Sequence, residues 1–263
     1  MVKKILAYFR ISITDTLEYR GDVLLYTFSG IALPVTTLLL WIAVTTSGSS
    51  SPLSRAEFVS YYIFLLIVGL WVSNWASFFI SRDIRLGKMS PWLVKPAPFI
   101  LYQATNNISE KFLKSAFLIP VMFILAVVFR FTWPLLHPFV WISFIISVAL
   151  AGGIAFFIDI SLGLLAFWID DSSAAREIFS ILHLIFSGRL LPLYALPLGL
   201  QNISFFLPFR YMLSLPLEIV LNKLSGYQLL TGLSIQIFLL VLTFLLYKFL
   251  WQRGTRRYSA AGY

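Results

Sequence analysis

Long apolar runs alternate along this chain with short segments that hold nearly all of its charge. The hydrocarbon core of a bilayer is about 30 Å thick, so a helix rising about 1.5 Å per residue needs about 20 apolar residues to cross it. Six runs answer that description: residues 23–44, 58–80, 112–129, 139–169, 178–198 and 229–251. They are continuously apolar and do not alternate every second residue, so they predict helices and not the strands of a barrel. The expected fold is all-α and integral to the membrane, with six transmembrane helices.

The intervening segments carry their own patterns. Ile5, Leu6, Phe9, Ile13 and Leu17 recur at three-to-four-residue spacing with Lys3, Lys4, Arg10 and Asp15 between them, which predicts an amphipathic helix lying in the interface. Residues 45–52, rich in Ser, Thr and Gly, read as a short external loop. Residues 81–110 form the longest polar stretch, where a short helix ended by Gly87 gives way to a connection punctuated by Pro91, Pro96 and Pro98. Ile84, Leu86, Met89, Trp92 and Leu93 are more apolar than a solvated loop requires, and they predict docking. The long fourth run contains Gly152-Gly153, so a tilt or kink is expected there. Residues 190–221 are too apolar for an open loop and, with Pro192, Pro197, Pro208 and Pro216, too broken for one straight helix. Two short re-entrant helices broken near residues 201–208 are the expectation, buried in protein or lining a cavity.

Composition and charge set the class and the orientation. With 59% apolar residues, 12% charged and a mean hydropathy of +0.88, a soluble domain is excluded. No polar stretch is long enough for a second domain, so residues 1–263 are expected to form one membrane domain. Basic residues collect on alternate segments: Lys3, Lys4, Arg10 and Arg20; then Arg82, Arg85, Lys88, Lys95, Lys111 and Lys114; then Arg176; and finally Lys248, Arg253, Arg256 and Arg257. The opposite segments hold Arg55, Arg130, Arg210 and Lys223. Short basic loops stay in the cytoplasm, which places both termini there. The net charge of +9 is assigned to membrane lipids with anionic headgroups and not to nucleic acid. The first run is too long and too far from the start for a signal-peptide core, and is expected to be retained.

Little in the chain carries reaction chemistry. There is no Gly-x-x-x-x-Gly-Lys-Ser/Thr phosphate loop, so any ATP-driven step needs another polypeptide. Two histidines, His137 and His183, without a cysteine do not build a metal site. His183 and Ser187 share a helix face but lack an acidic partner, and are read as hydrogen-bonded bundle residues rather than a hydrolase pair. Asp159 and Arg189 are the two ionisable residues best placed inside runs, where charge must face protein or water. Asp159 is read as a structural hydrogen-bonding residue and Arg189 as an outer-cavity residue, with the reverse assignment open. Trp41, Trp71, Trp133, Trp168 and Trp251 near run ends are read as interfacial anchors, with contact to an aromatic substrate as the other reading.

Two motifs then sharpen the picture. Asp83-Ile84-Arg85-Leu86-Gly87-Lys88 followed by Leu93-Val94-Lys95-Pro96 is similar to the first cytoplasmic loop of ABC-2 type exporter permeases. Ser187-Gly188-Arg189-Leu190-Leu191-Pro192-Leu193, then Leu207-Pro208-Phe209-Arg210-Tyr211 and Pro216, resembles their outer segment. The resemblance implies a pair of permeases, identical or homologous, joined to two cytosolic ABC ATPase subunits in a bacterial plasma membrane. ATP and Mg²⁺ would sit on the ATPase, and this chain would carry no cofactor and no catalytic residue. It further implies that Arg82, Asp83, Ile84, Arg85, Leu86, Gly87 and Lys88 form a coupling helix between spans two and three.

On that basis the expected substrate path is lined by spans one, two and five. Its outer gate is the re-entrant region, with Phe186, Ser187, Arg189, Pro192, Phe205, Phe206, Phe209 and Arg210. Apolar walls suit an amphiphilic, drug-like or lipid-like cargo, and Arg189 and Arg210 favour an anionic group on it. An ATP-independent channel or secondary transporter is the rival expectation, and a membrane-embedded enzyme is the third.

Overall fold

A computed structural model describes residues 2–47, 51–95, 98–134, 136–169 and 171–258, with side chains from residue 5 onward. Among these residues there are helices and no strand. In chain order they are α1 (Val2–Glu18), α2 (Arg20–Thr46), α3 (Arg55–Val72), α4 (Ala76–Arg85), α5 (Ser90–Val94), α6 (Phe99–Val128) and α7 (Pro138–Leu164). A 3₁₀ turn at Leu165–Phe167 follows, then α8 (Ser173–Phe186), α9 (Leu198–Phe206), α10 (Pro208–Met212), α11 (Ser214–Val220) and α12 (Gly226–Arg257).

Among the described residues, five segments are long and apolar enough to cross a membrane: Arg20–Thr46, Arg55–Arg85, Phe99–Val128, Pro138–Phe167 and Gly226–Arg257. Three of them have capping residues that favour their start. Ser54 and Glu57 form a reciprocal capping box at α3, Ser225 and Gln228 do the same at α12, and His137 with Pro138 opens α7.

The structure departs from the sequence expectation in four places. The span expected at residues 58–80 is interrupted at Ser73–Trp75, where Ser73 turns to extended backbone and α4 begins afresh. The span expected at 112–129 starts at Phe99, so Lys111 and Lys114 sit inside a 30-residue helix and not in a loop. The run 178–198 yields α8, only 14 residues, which stops at Phe186. The segment expected to hold two re-entrant helices holds three, α9 to α11, broken at Leu207 and Leu213.

Two large apolar cores fix the architecture among the described residues, and a third small cluster of Ile31, Leu66 and Leu118 ties α2 and α3 to α6. The larger joins α2, α3, α7, α10 and α11, with Phe58, Tyr61, Tyr62, Leu65, Ile154, Leu215 and Leu217 nearly inaccessible. The smaller gathers Ile80 and Ile84 of α4, Met89, Phe99, Tyr247 and the end of α7 at Phe156, Ile160 and Leu164. We call the region of this second core the basic end of the bundle, and the region from the end of α8 to the start of α12 the far end. The amphipathic α1 packs on α6, with Tyr8 against Tyr102 and Phe9 against Phe112. The expected loop at 45–52 and the side chains of Lys3 and Lys4 lie partly or wholly outside the described residues.

Candidate functional site

At the basic end, α4 stops in a turn whose backbone is fully specified. Gly87 takes φ +69°, a region glycine enters without steric cost, and the turn closes by hydrogen bonds from Gly87 N–H to Ile84 O (3.1 Å) and from Lys88 N–H to Asp83 O (2.8 Å). Ile84 and Met89 are buried in the second core, and Met89 N–H donates to the Tyr258 hydroxyl at 3.1 Å. Arg82, Arg85, Leu86 and Lys88 are left facing out, with Asp83 and Gly87 half-buried. Arg82 lies 3.8 Å from Asp83, a surface contact worth little by itself. Of the residues whose apolarity predicts docking, Ile84 and Met89 dock within the chain, and Trp92 packs on Phe99 and Tyr102. Leu86 and Leu93 stay exposed. Pro96, the last residue of the motif, lies outside the described residues.

At the far end the chain leaves α8 as a strap pinned by aromatic side chains. The Tyr61 hydroxyl donates to Gly188 O (2.8 Å), and the Tyr62 hydroxyl and Trp41 indole N–H both reach Leu190 O (2.6 and 3.1 Å). These bonds satisfy carbonyls that an irregular segment at membrane depth would otherwise leave exposed. Gly188 holds φ +89°, and a Cβ there would meet the Tyr61 hydroxyl at 2.6 Å. Gly188→Ala is therefore expected to lower stability by about 1–2 kcal/mol through left-handed strain, with further loss from the displaced hydroxyl. Unfolding in mixed micelles, compared with Gly199→Ala where a Cβ meets nothing within 4 Å, measures it.

The expected gate residues divide by burial. Ser187, Pro192, Phe209 and Arg210 are buried, Phe186 and Arg189 half-buried, and Phe205 and Phe206 exposed. Arg189 makes no hydrogen bond or ion pair among the described residues. Arg210 instead pairs with Glu218 (2.6 Å), whose other oxygen accepts from Ser214 Oγ (2.9 Å), and its guanidinium lies 3.9 Å over the Phe205 ring. The charge of Arg210 is thus compensated internally. His183 Nε2 and Ser187 Oγ are buried without a hydrogen-bond partner among the described residues, so they do not form the expected bonded pair. His183 packs on Phe179 and Phe209, which holds α8 against α10.

Between the two ends, the break at Ser73–Trp75 is capped by side chains from two other helices. Lys111 Nζ of α6 donates to Trp71 O at 2.5 Å, and Asn107 Nδ2 donates to Asn74 Oδ1 at 2.8 Å. Asp159 of α7 accepts from Ser77 N–H (3.0 Å) and Ser77 Oγ (2.6 Å) at the start of α4. A cation at a helix C-terminus and a carboxylate at an N-terminus both oppose the local backbone charge. Beside the break, α3 and α7 border an open apolar groove of about 250 Å³ lined by Ile67, Val68, Trp71, Phe144, Ile145, Val148 and Ala149. No group of residues suited to a metal ion occurs among the described residues.

Asp159 and Arg189 are not brought together. A loop-by-loop charge count assigns Lys111 to a loop and passes over Glu218. The signals that reveal them are the apolar Phe99, Ile100, Leu101 and Ile108 ahead of Lys111, and a lone carboxylate inside Leu215-Pro216-Leu217-Glu218-Ile219-Val220.

No curated protein matches the sequence. The family model for ABC-2 family transporter proteins matches residues 31–262, nearly the whole length of the chain. Together with five apolar helices long enough to cross a bilayer, this match places the chain in the ABC-2 transporter family, as a multi-pass transmembrane permease.

Proposed function

We propose that the chain is the membrane half of an exporter driven by two separate cytosolic ATP-binding-cassette ATPases, moving an amphiphilic, drug-like or lipid-like substrate out across a bacterial plasma membrane. ATP and Mg²⁺ act on the ATPase. The observation that carries this reading is the basic turn Arg82, Asp83, Ile84, Arg85, Leu86, Gly87 and Lys88. Its backbone is anchored through Ile84 and Met89, yet its cationic side chains and Leu86 face outward without an internal partner strong enough to hold them. A rigid, exposed, mixed basic and apolar turn is suited to seating in a cleft of another protein.

Residues 1–263 act as one domain with both termini in the cytoplasm, as the alternation of basic segments favours. At 1.5 Å per residue α8 spans about 21 Å, so α8 and the strap that follows it together complete a sixth crossing. Two permeases, identical or homologous, enclose the path. The far-end strap and α9–α11 gate it, with Phe205 and Phe206 as apolar contacts and Arg189 as the uncompensated cation. ATPase dimerisation shifts an equilibrium between two permease states, which requires the turn to make different contacts in each.

Purification of the tagged chain in mild detergent from its native host is expected to retain an ATPase in stoichiometric amount. Arg85→Glu is expected to reduce the retained ATPase at least tenfold while membrane insertion stays normal, since reversing a charge in a seated turn costs more than about 1.4 kcal/mol. Unchanged retention would remove the coupling role. The broken span with Lys111 and Asp159 is the one observation that favours a secondary transporter instead, because such proteins place interrupted helices near the midplane. Absence of any ATPase from the purified material would select that reading.

A further inference from the structure

Residues 55–85 form one span but not one lever. Extended backbone at Ser73 separates α3 from α4, so the backbone hydrogen-bond ladder does not run through. Each loose end is held by a different neighbour: Trp71 O by Lys111 of α6, and the first turn of α4 by Asp159 of α7. Asp159 and Gly163 lie four residues apart, on one face of α7. At Gly163 the helices approach so closely that a Cβ would sit 2.8 Å from Ser77 Cα. Below this contact Ile80 and Ile84 of α4 share the second core with Ile160 and Leu164 of α7.

The other half of α7 is bonded to the far end. Ser147 Oγ donates to Gln236 Oε1 (3.0 Å), and Gln236 Nε2 donates to Ser147 O (3.2 Å) and to Tyr211 O of α10 (2.8 Å). Gln236 is wholly buried, so these bonds are made in a dry setting where leaving one unmade is costly.

We propose that Asp159 is a positioning residue that ties the basic turn to α7, so that a displacement imposed on the turn reaches the far-end helices through α7 and not along residues 55–85. The inference rests on the reading of residues 82–88 as the ATPase contact. A carboxylate serves here because both its oxygens are used, one on Ser77 N–H and one on Ser77 Oγ. An amide has one acceptor oxygen and no charge to face the start of α4, and the Ser77 hydroxyl would have to turn round to accept from its N–H.

The sequence has no cysteine, so Leu198→Cys and Tyr227→Cys, at residues 75% and 81% exposed, provide a spin-label pair across the far end. The distance is measured in the assembled complex in lipid nanodiscs, without nucleotide and with Mg-ATP trapped by vanadate. The labelled parent is expected to shift between the two conditions. Asp159→Asn is expected to lose most of that shift while the ATPase remains bound and hydrolyses ATP. Ser77→Ala, a milder lesion of the same contact, is expected to lose part of it. Lys111→Met, which uncaps the end of α3 and removes a longer contact to Asn74 but leaves both Asp159–Ser77 bonds in place, is expected to keep it. A full shift in both Asp159→Asn and Ser77→Ala, or an equal loss in Lys111→Met, overturns the proposal. If the parent chain retains no ATPase at all, the coupling reading itself falls, and with it this inference, before any distance is measured.

Discussion

Glu218→Ala will destabilise this protein by about 3–5 kcal/mol, because it strands a buried guanidinium. Glu218 is 3% exposed, and both of its oxygens are engaged, one by Arg210 and one by Ser214. With the carboxylate gone, Arg210 keeps the face of Phe205 and no anion. The paired change Arg210→Met with Glu218→Leu is expected to recover most of the loss, since two apolar side chains of similar volume need neither charge nor hydrogen bond in this core. Reversible unfolding in mixed micelles, run as a double-mutant cycle, distinguishes the outcomes. A small loss for Glu218→Ala alone would mean that water reaches Arg210.

Gly163→Val will cost about 1–3 kcal/mol and separate α4 from α7. The new Cβ would lie 2.8 Å from Ser77 Cα, 3.0 Å from Ser77 O and 3.0 Å from Ile80 Cβ, so the obstacle is largely backbone that cannot rotate away. Asp159, one turn earlier, would be drawn from Ser77 by the same movement. The control is Gly153→Ala, where the Cβ meets only the end of Leu240, a side chain free to change rotamer. Equal stability of the two variants in the same micelle titration would show that the α4–α7 approach is looser than the distances state.

The membrane-crossing elements were legible in the sequence because a bilayer imposes a minimum apolar length that composition alone can satisfy. Residues 23–44 and 229–251 fall inside α2 and α12, and the cap residues of both longer helices fall outside the counted runs. The basic turn was legible too, since Gly87 and its flanking charges are local signals. The break at Ser73–Trp75 was not. It contains neither proline nor glycine, and the groups that cap its two ends, Lys111 and Asp159, are distant in sequence and brought near only by folding. Counting charges by loop also misplaced Lys111, because a helix that takes both lysines into a bundle looks, in one dimension, like a loop followed by a span. The shortness of α8 was hidden for the opposite reason: residues 187–198 are as apolar as a helix continuation, but Gly188, Pro192 and Pro197 give the chain to the hydroxyls of Tyr61 and Tyr62.

The capping of the broken span also constrains the order of events during synthesis. The chain emerges N-terminus first, so residues 55–85 enter the bilayer before Lys111 and Asp159 have been translated. In lipid an uncapped helix end is costly, and a newborn span can meet that demand alone only by closing Ser73–Trp75 into continuous helix. The groups that replace the surrendered backbone bonds arrive only with α6 and then α7, so the first hairpin of the chain cannot by itself supply the partners this span has in the finished fold.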